Sequence, residues 1–147
     1  LSSGSIKAYD VVVKQADIDV SSGSATIENL TADHLNLDMK SGSIKGDVIR
    51  ADTNIESSSG SIKLEHLTGP AKVRSSSGSI KIYKDDTSDL DIRASSGSIY
   101  VRMPESFAGT YDAQASSGSV RVPESKRETD DLVKVRSSSG SIKIEQE

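Results

Sequence analysis

The sequence predicts an all-β fold, a single-stranded β-solenoid of about seven coils, each of 18–22 residues. The tripeptide Ser-Gly-Ser recurs eight times, the spacing between copies stays near twenty residues, and apolar residues alternate with polar ones on both sides of each copy. A fixed period of this length is typical of stacked repeats, and alternation is typical of strands. The repeated glycines are Gly4, Gly23, Gly42, Gly60, Gly78, Gly97, Gly118 and Gly140.

A strand is predicted on each side of every repeated glycine. The second and fourth residues after the glycine are apolar in nearly every copy, as in Ile62 and Leu64. The fifth and seventh residues before it are also mostly apolar, as in Ile92 and Leu90. Because side chains along a strand point alternately to its two faces, each strand has one face suited to a core.

The parity of these positions predicts a corner at Ser-Gly-Ser. If the odd positions before the glycine point inward, straight alternation would send the second residue after it outward, yet that position is the most apolar of all. The strand must bend there, and glycine tolerates the backbone angles of such a bend. The small serine hydroxyls can bond the backbone or the next coil. All eight tripeptides should therefore line up at one corner.

A third apolar position follows seven residues after the first glycines and then disappears. It holds Val11, Leu30, Ile49 and Leu67, and later Asp85, Pro104 and Ser125. The early coils should have two long sides and a short third side, which loops replace in the later coils. We expect right-handed coiling from the general crossover preference. We also expect the charged segment Glu145–Glu147 to lie at the C-terminal end of the stack and to discourage end-to-end stacking.

Length and composition agree with one slender domain over residues 1–147. Only 33% of the residues are hydrophobic and 3% aromatic, which suits thin stacked coils. The formal charge of −4 argues against nucleic-acid binding, and the absence of cysteine excludes disulfides and thiolate metal sites. The sequence opens in the middle of a repeat, so we expect an open sheet edge at the N-terminal end that a missing upstream segment covers.

The third residue after each glycine forms a basic column centred on Lys45, Lys63 and Lys81, which we call the lysine ladder. One hypothesis is that the lysine ladder binds a repeating polyanion, such as an anionic glycopolymer or lipid head groups. The other is a solvated face balanced by the acidic column two residues further on. That column contains Glu28, Asp47, Glu65 and Glu145.

The outward positions of the strand before each glycine predict a second face whose charge changes sign along the stack. Its early members are Asp17, Asp19, Asn36, Asp38 and Glu56, and its later ones include Lys72, Arg74, Arg93, Lys134 and Arg136, with Asp91 and Asp112 among them. This polarity could orient a partner or could only avoid like charges. Outward serines also stack beside the corner, at Ser58, Ser76 and Ser95 and at Ser116 and Ser138, where ordered water or ice is a further hypothesis.

An enzyme that cleaves acidic polysaccharides is the main rival class. Its best candidate residues are Asp85, Asp86, Asp89 and Asp91, which could also hold calcium. Three of them lie in a loop where aspartate is common for backbone reasons alone. We predict no metal site, since His34 and His66 lie in different coils, and no cofactor. Stacking on carbohydrate is not favoured, because Trp is absent and the four tyrosines are scattered along the sequence.

Two segments carry a resemblance to a known family. Residues Leu90–Val101 and Val133–Ile144 both follow a strand, Ser-Ser-Gly-Ser, strand pattern. This module resembles the bacterial adhesin-type β-strand-repeat family, and the resemblance covers essentially the whole chain. It implies a β-helical module at the bacterial cell envelope or extracellular surface, with no catalytic residues. We therefore expect a non-catalytic structural or interaction module, with an anionic cell-envelope polymer or another protein as its partner.

Overall fold

The computed structural model describes residues 4–85, 89–104, 108–122, 128 and 131–146. These residues form thirteen strands in one sheet, every pairing is parallel, and this part of the chain contains no helix. The predicted all-β solenoid is confirmed. In the described ranges there is also no helix with the length and hydropathy needed to cross a bilayer.

The strands follow the chain two to a coil, except where a single long strand makes both sides. They are β1 Ser5–Val12, β2 Gln15–Val20, β3 Ser24–Met39, β4 Ser43–Ser57, β5 Ser61–Thr68, β6 Ala71–Ser75, β7 Ile80–Lys84, β8 Leu90–Ala94, β9 Ile99–Met103, β10 Thr110–Ala115, β11 Val120–Arg121, β12 Leu132–Ser137 and β13 Ile142–Gln146. β3 and β4 are the two long strands.

The core is a stack of aliphatic side chains at equivalent positions of successive coils. Ile44 pairs in register with Ile62, Ile62 with Ile80, and Ile80 with Ile99. All four are buried. On the opposite side of the coil, Ile55 and its equivalents are buried in the same way. The two alternating strands predicted around each glycine therefore face each other across a thin core.

The repeated glycines form one row at a corner, as the fold prediction requires. Their φ angles lie between 101° and 115°, in the region that L side chains rarely adopt. The stacking is close as well, because a Cβ on Gly60 would lie 1.7 Å from the carbonyl oxygen of Gly42. The preceding serines bond across coils, and Ser77 Oγ donates to the carbonyl oxygen of Ser58 at 3.3 Å. Both the backbone angle and the space beside it demand glycine.

A second corner follows six residues after each of the first four glycines. Its residues are Asp10, Asn29, Val48 and His66, and each has φ between 52° and 54°. The third side begins there, and its predicted apolar residues Leu30, Ile49 and Leu67 are buried. The third side is also lost after Leu67, as predicted. In the next coil the strand β7 ends at Lys84, the residue that pairs with Leu67.

The stacking order departs from the sequence order at the C-terminal end. β13 lies between β9 and β11, and β12 lies between β8 and β10. Ile142 and Ile144 are therefore buried, whereas Val120 and Val122 are 38% and 42% exposed. The last coil in the sequence lies inside the stack, and the coil of residues 110–121 lies at its end.

The expectation that Glu145–Glu147 closes the stack is thus wrong. Glu145 pairs in register with Arg102, and Gln146 with Met103; Glu147 lies outside the described residues. A repeat period specifies that coils stack but leaves open which coil is next to which. The chain between Arg121 and Leu132 has ten residues, which can span roughly 30 Å and so can pass over one coil.

Candidate functional site

The fold brings the three residues of the lysine ladder side by side. Lys45 of β4 pairs in register with Lys63 of β5, and Lys63 pairs with Lys81 of β7. The side chains point away from the core, because the alternating residues Ile44, Ile62 and Ile80 are buried. Adjacent strands are about 4.8 Å apart, so unscreened charges at this spacing repel by roughly 1 kcal/mol in water.

Acidic residues partly neutralise this face. Lys63 Nζ lies 3.2 Å from Glu65 Oε1, and Lys143 Nζ lies 2.9 Å from Glu145 Oε1. Lys45 has no ion-pair partner within the described ranges. Within the described residues only Lys63 of the three ladder lysines has an ion-pair partner, so the ladder keeps cations without a carboxylate partner at Lys45 and Lys81.

Two tyrosines lie on the same face and contact its cations. The Tyr83 and Tyr100 ring centroids are 5.9 Å apart in an edge-to-face arrangement. Lys81 Nζ lies 5.6 Å from the Tyr83 centroid and 5.7 Å from that of Tyr100, and Arg102 also lies over Tyr83. Tyr83 and Tyr100 are 17 residues apart in the sequence, and the stacking of their coils brings the two rings together. The sequence could have predicted this contact, because Tyr83 lies five residues after Gly78 and Tyr100 lies three residues after Gly97, the next repeated glycine.

Glu145 ties the aromatic pair to the last strand. Tyr100 donates a hydrogen bond of 2.7 Å from its hydroxyl to Glu145 Oε2. This bond and the bond from Lys143 lower the pKa of Glu145, while the same Tyr100 bond raises the pKa of the tyrosine. The bond joins β9 to β13 on their outer surface.

The second face changes sign along the stack in the predicted way, and the coil order makes its basic part continuous. The outward residue four positions before each glycine reads, in stacking order, Asp19, Asp38, Glu56, Arg74, Arg93, Arg136 and Gln114. Sequence order would place Gln114 between Arg93 and Arg136. We call the three consecutive arginines the arginine row.

Asp112 holds one member of the arginine row in place. Arg136 donates from Nη1 to Asp112 Oδ1 at 3.1 Å and from Nη2 to Asp112 Oδ2 at 2.8 Å. Hydrogen bonding to Arg136 lowers the pKa of Asp112, and the same bonding raises the pKa of Arg136. The paired geometry is the one that guanidinium and carboxylate groups favour.

The acidic residues proposed for an enzyme make separate contacts. Asp85 Oδ2 lies 3.0 Å from His66 Nδ1, and the hydrogen bond with Asp85 raises the pKa of His66. Asp89 Oδ1 accepts a bond of 2.9 Å from the amide of Leu132, and Asp91 lies 3.8 Å from Arg93 Nε. Asp86 lies outside the described residues.

The histidines also lie apart in this arrangement. His34 Nδ1 is 3.7 Å from Asp52 Oδ2, on the third side of the early coils. Among the residues that the structure describes, no group of three or more His, Asp or Glu residues could hold a metal ion.

Parallel strands in one stacked sheet, with equivalent outward residues in rows, define a β-solenoid repeat domain. A protein-family model described as Toastrack DUF4097 matches residues 1–145, so the chain belongs to the Toastrack DUF4097 family. The family match agrees with the β-solenoid that the resemblance implied, and it does not carry the adhesin role. A search of curated proteins and a search of solved structures found no match.

Proposed function

We propose that this Toastrack domain is a non-catalytic interaction module of a bacterial envelope-associated protein, and that it binds an extended anionic polymer along the lysine ladder. The observation that carries the proposal is the register of Lys45, Lys63 and Lys81 on three neighbouring strands. A straight row of cations on a stacked sheet complements a ligand whose anionic groups also repeat along a line.

The weakness of each single contact favours a polymer over a small ligand. An ion pair between exposed groups contributes about 0–1 kcal/mol, so a single lysine would bind an anionic ligand only weakly. Several contacts along one chain act together, because the first contact raises the effective concentration of the next anionic group. The rings of Tyr83 and Tyr100 extend the same surface beyond Lys81 and hold its ammonium group in place.

The test is retention on an immobilised acidic polysaccharide during a sodium chloride gradient. The variant with Lys45→Glu, Lys63→Glu and Lys81→Glu should elute with the unbound protein, while the wild type is retained at low salt. A control with the same charge change carries Lys14→Glu, Arg50→Glu and Lys72→Glu, all at exposed positions away from the ladder. The control should stay close to the wild type.

Three results contradict the proposal. Unchanged retention of the ladder variant would show that the lysine ladder is not the binding site. Equal losses of retention in the ladder variant and the control would show that net charge alone explains the binding. Turnover of the acidic polysaccharide that is lost with Asp85→Asn and Asp86→Asn would replace the non-catalytic function by an enzymatic one.

A further inference from the structure

A groove runs along the corner side of the second face, on a different surface from the lysine ladder. Its volume is about 710 Å³, and it is lined by the ends of β4, β6, β8, β12 and β10, which lie side by side. One wall is the arginine row. The floor consists of small buried residues, among them Ser75, Ala94 and Ser137.

The other wall is a row of exposed serines, two residues before each glycine. In stacking order this serine row is Ser58, Ser76, Ser95, Ser138 and Ser116. The amide of Ser138 donates to the carbonyl oxygen of Ala94 at 3.2 Å, and the amide of Ser116 donates to that of Ser137 at 3.0 Å. Ser138 therefore lies between Ser95 and Ser116, and the serine row is continuous.

The hydroxyl groups of the serine row are available to a ligand. The floor serines use theirs internally, since Ser75 Oγ donates to the carbonyl oxygen of Ser77 at 2.9 Å and Ser137 Oγ to that of Ser139 at 2.8 Å. The corner serines bond to the neighbouring coil, as Ser77 does. Within the described part of the chain, the hydroxyls of the serine row have no such partner.

The arginine row is arranged to accept an anion. Its guanidinium groups start from strands about 4.8 Å apart, so each repels the next. Arg74 has no ion-pair or hydrogen-bond partner among the described side chains, and the ion pair of Arg93 with Asp91 is long, with 3.8 Å between Arg93 Nε and Asp91 Oδ1. Asp112 orients Arg136. An anion between neighbouring guanidinium groups would remove their repulsion.

From this juxtaposition we infer that the groove is a binding site for a linear polymer that carries phosphate groups. Guanidinium groups present planar pairs of donors that match phosphate oxygens, and the facing hydroxyls supply donors for the oxygens on the other side. The rows extend over several coils, so successive phosphates of one chain can occupy successive levels. The acidic residues Asp38 and Glu56 border the groove toward the N-terminal coils and exclude the polymer there.

The test compares variants that all lower the net charge by two units. Arg74→Gln with Arg93→Gln changes the groove, Lys72→Gln with Lys134→Gln changes the same face outside it, and Lys45→Gln with Lys63→Gln changes the lysine ladder. The probe is sodium polyphosphate, titrated by calorimetry at low salt. We expect the groove variant to lose at least about tenfold in affinity and the variant of Lys72 and Lys134 to stay within about threefold of the wild type. The ladder variant loses affinity only to the extent that polyphosphate also binds the lysine ladder.

Three results overturn the inference. They are a wild type that does not bind polyphosphate, equal losses in all three variants, and a loss confined to the ladder variant. The last result would leave the proposed lysine-ladder function standing. A loss in the groove variant that clearly exceeds the loss in the variant of Lys72 and Lys134 supports the groove, whether or not the ladder variant also loses affinity. Unfolding midpoints of the three variants, measured in parallel, should match that of the wild type.

A serine variant and a carboxylate polymer test the phosphate chemistry itself. Ser76→Ala with Ser95→Ala removes two donors without changing charge, and we expect a loss of roughly three- to tenfold for polyphosphate. Polygalacturonate should bind the wild type more weakly than polyphosphate, with no dependence on these two serines. If polygalacturonate binds equally well and shows the same dependence, the assignment of the groove to phosphate is overturned.

Discussion

The amide of Ser139 donates a hydrogen bond of 2.9 Å to the carbonyl oxygen of Ser95. This bond places the last coil of the chain, which contains β12 and β13, between the coil of β8 and β9 and the coil of β10 and β11. We call this reversal of the last two coils the coil exchange. The exchange brings Arg136 next to Arg93 and Ser138 next to Ser95. The continuous rows on both walls of the groove depend on it.

Replacement of a stacked corner glycine should destabilise the fold strongly. A Cβ on Gly78 would lie 1.7 Å from the carbonyl oxygen of Gly60, and φ at Gly78 is +105°. Because the clash would be with a backbone atom, no movement of a flexible side chain can relieve it. We expect Gly78→Ala to lower the free energy of unfolding by about 3 kcal/mol or more, measured by urea denaturation.

Gly4→Ala is the matched control for this prediction. Gly4 has a similar φ of +101°, but no atom of the described residues lies within 4 Å of the added Cβ. Only the backbone angle should matter there, at a cost of about 1–2 kcal/mol. Equal losses at Gly4 and Gly78 would show that close stacking of the coils is not the reason for glycine.

Substitution at the second corner should stabilise the protein. Val48 has φ of +53°, a region that β-branched residues avoid and asparagine tolerates. Asn29 occupies the equivalent position one coil earlier, where its Nδ2 donates to Asp10 Oδ1 at 2.7 Å. We expect Val48→Asn to raise the free energy of unfolding by about 1 kcal/mol. Val48→Ala keeps most of the backbone strain, so a gain of the same size in that variant would contradict the explanation.

The contact between His66 and Asp85 predicts a pH-dependent contribution. Asp85 raises the pKa of His66 above 6.5, so the stabilisation is complete below that value and is lost as the pH rises through the higher pKa of the folded state. Both side chains are more than half exposed, which limits the effect to about 0.5 kcal/mol. Asp85→Asn should move the His66 titration midpoint, followed by NMR, down toward 6.5. An unmoved midpoint would show that the contact does not form in solution.

The corner and the core could be predicted because their signals repeat. Gly60 and Ile62 have equivalents in every coil. The single hypothesis of a bend at Ser-Gly-Ser was therefore enough to assign the inward and outward positions along the chain. The second corner carries no such signal, since Asn29, Val48 and His66 share a backbone angle and little side-chain chemistry. The positive φ angle is the one feature that these corner residues share.

The site was harder to predict than the fold. The lysine ladder follows from the period, because Lys45, Lys63 and Lys81 lie in coils that stack in sequence order. The arginine row does not, because Gln114 stands between Arg93 and Arg136 in the sequence and only the coil exchange removes it. Similar coils offer similar surfaces to each other, so the choice of neighbour depends on packing that a column of residues cannot show.

Disulfide formation between introduced cysteines tests the coil exchange most directly, because the protein has no cysteine of its own. Residues on adjacent coils are about 4.8 Å apart, within the range for a disulfide, and those two coils apart are too distant. On oxidation, Ser95→Cys with Ser138→Cys should form an intramolecular disulfide, detected as a linked peptide by mass spectrometry, and Ser95→Cys with Ser116→Cys should not. A disulfide in the second variant and none in the first would contradict the exchange and, with it, the continuous groove.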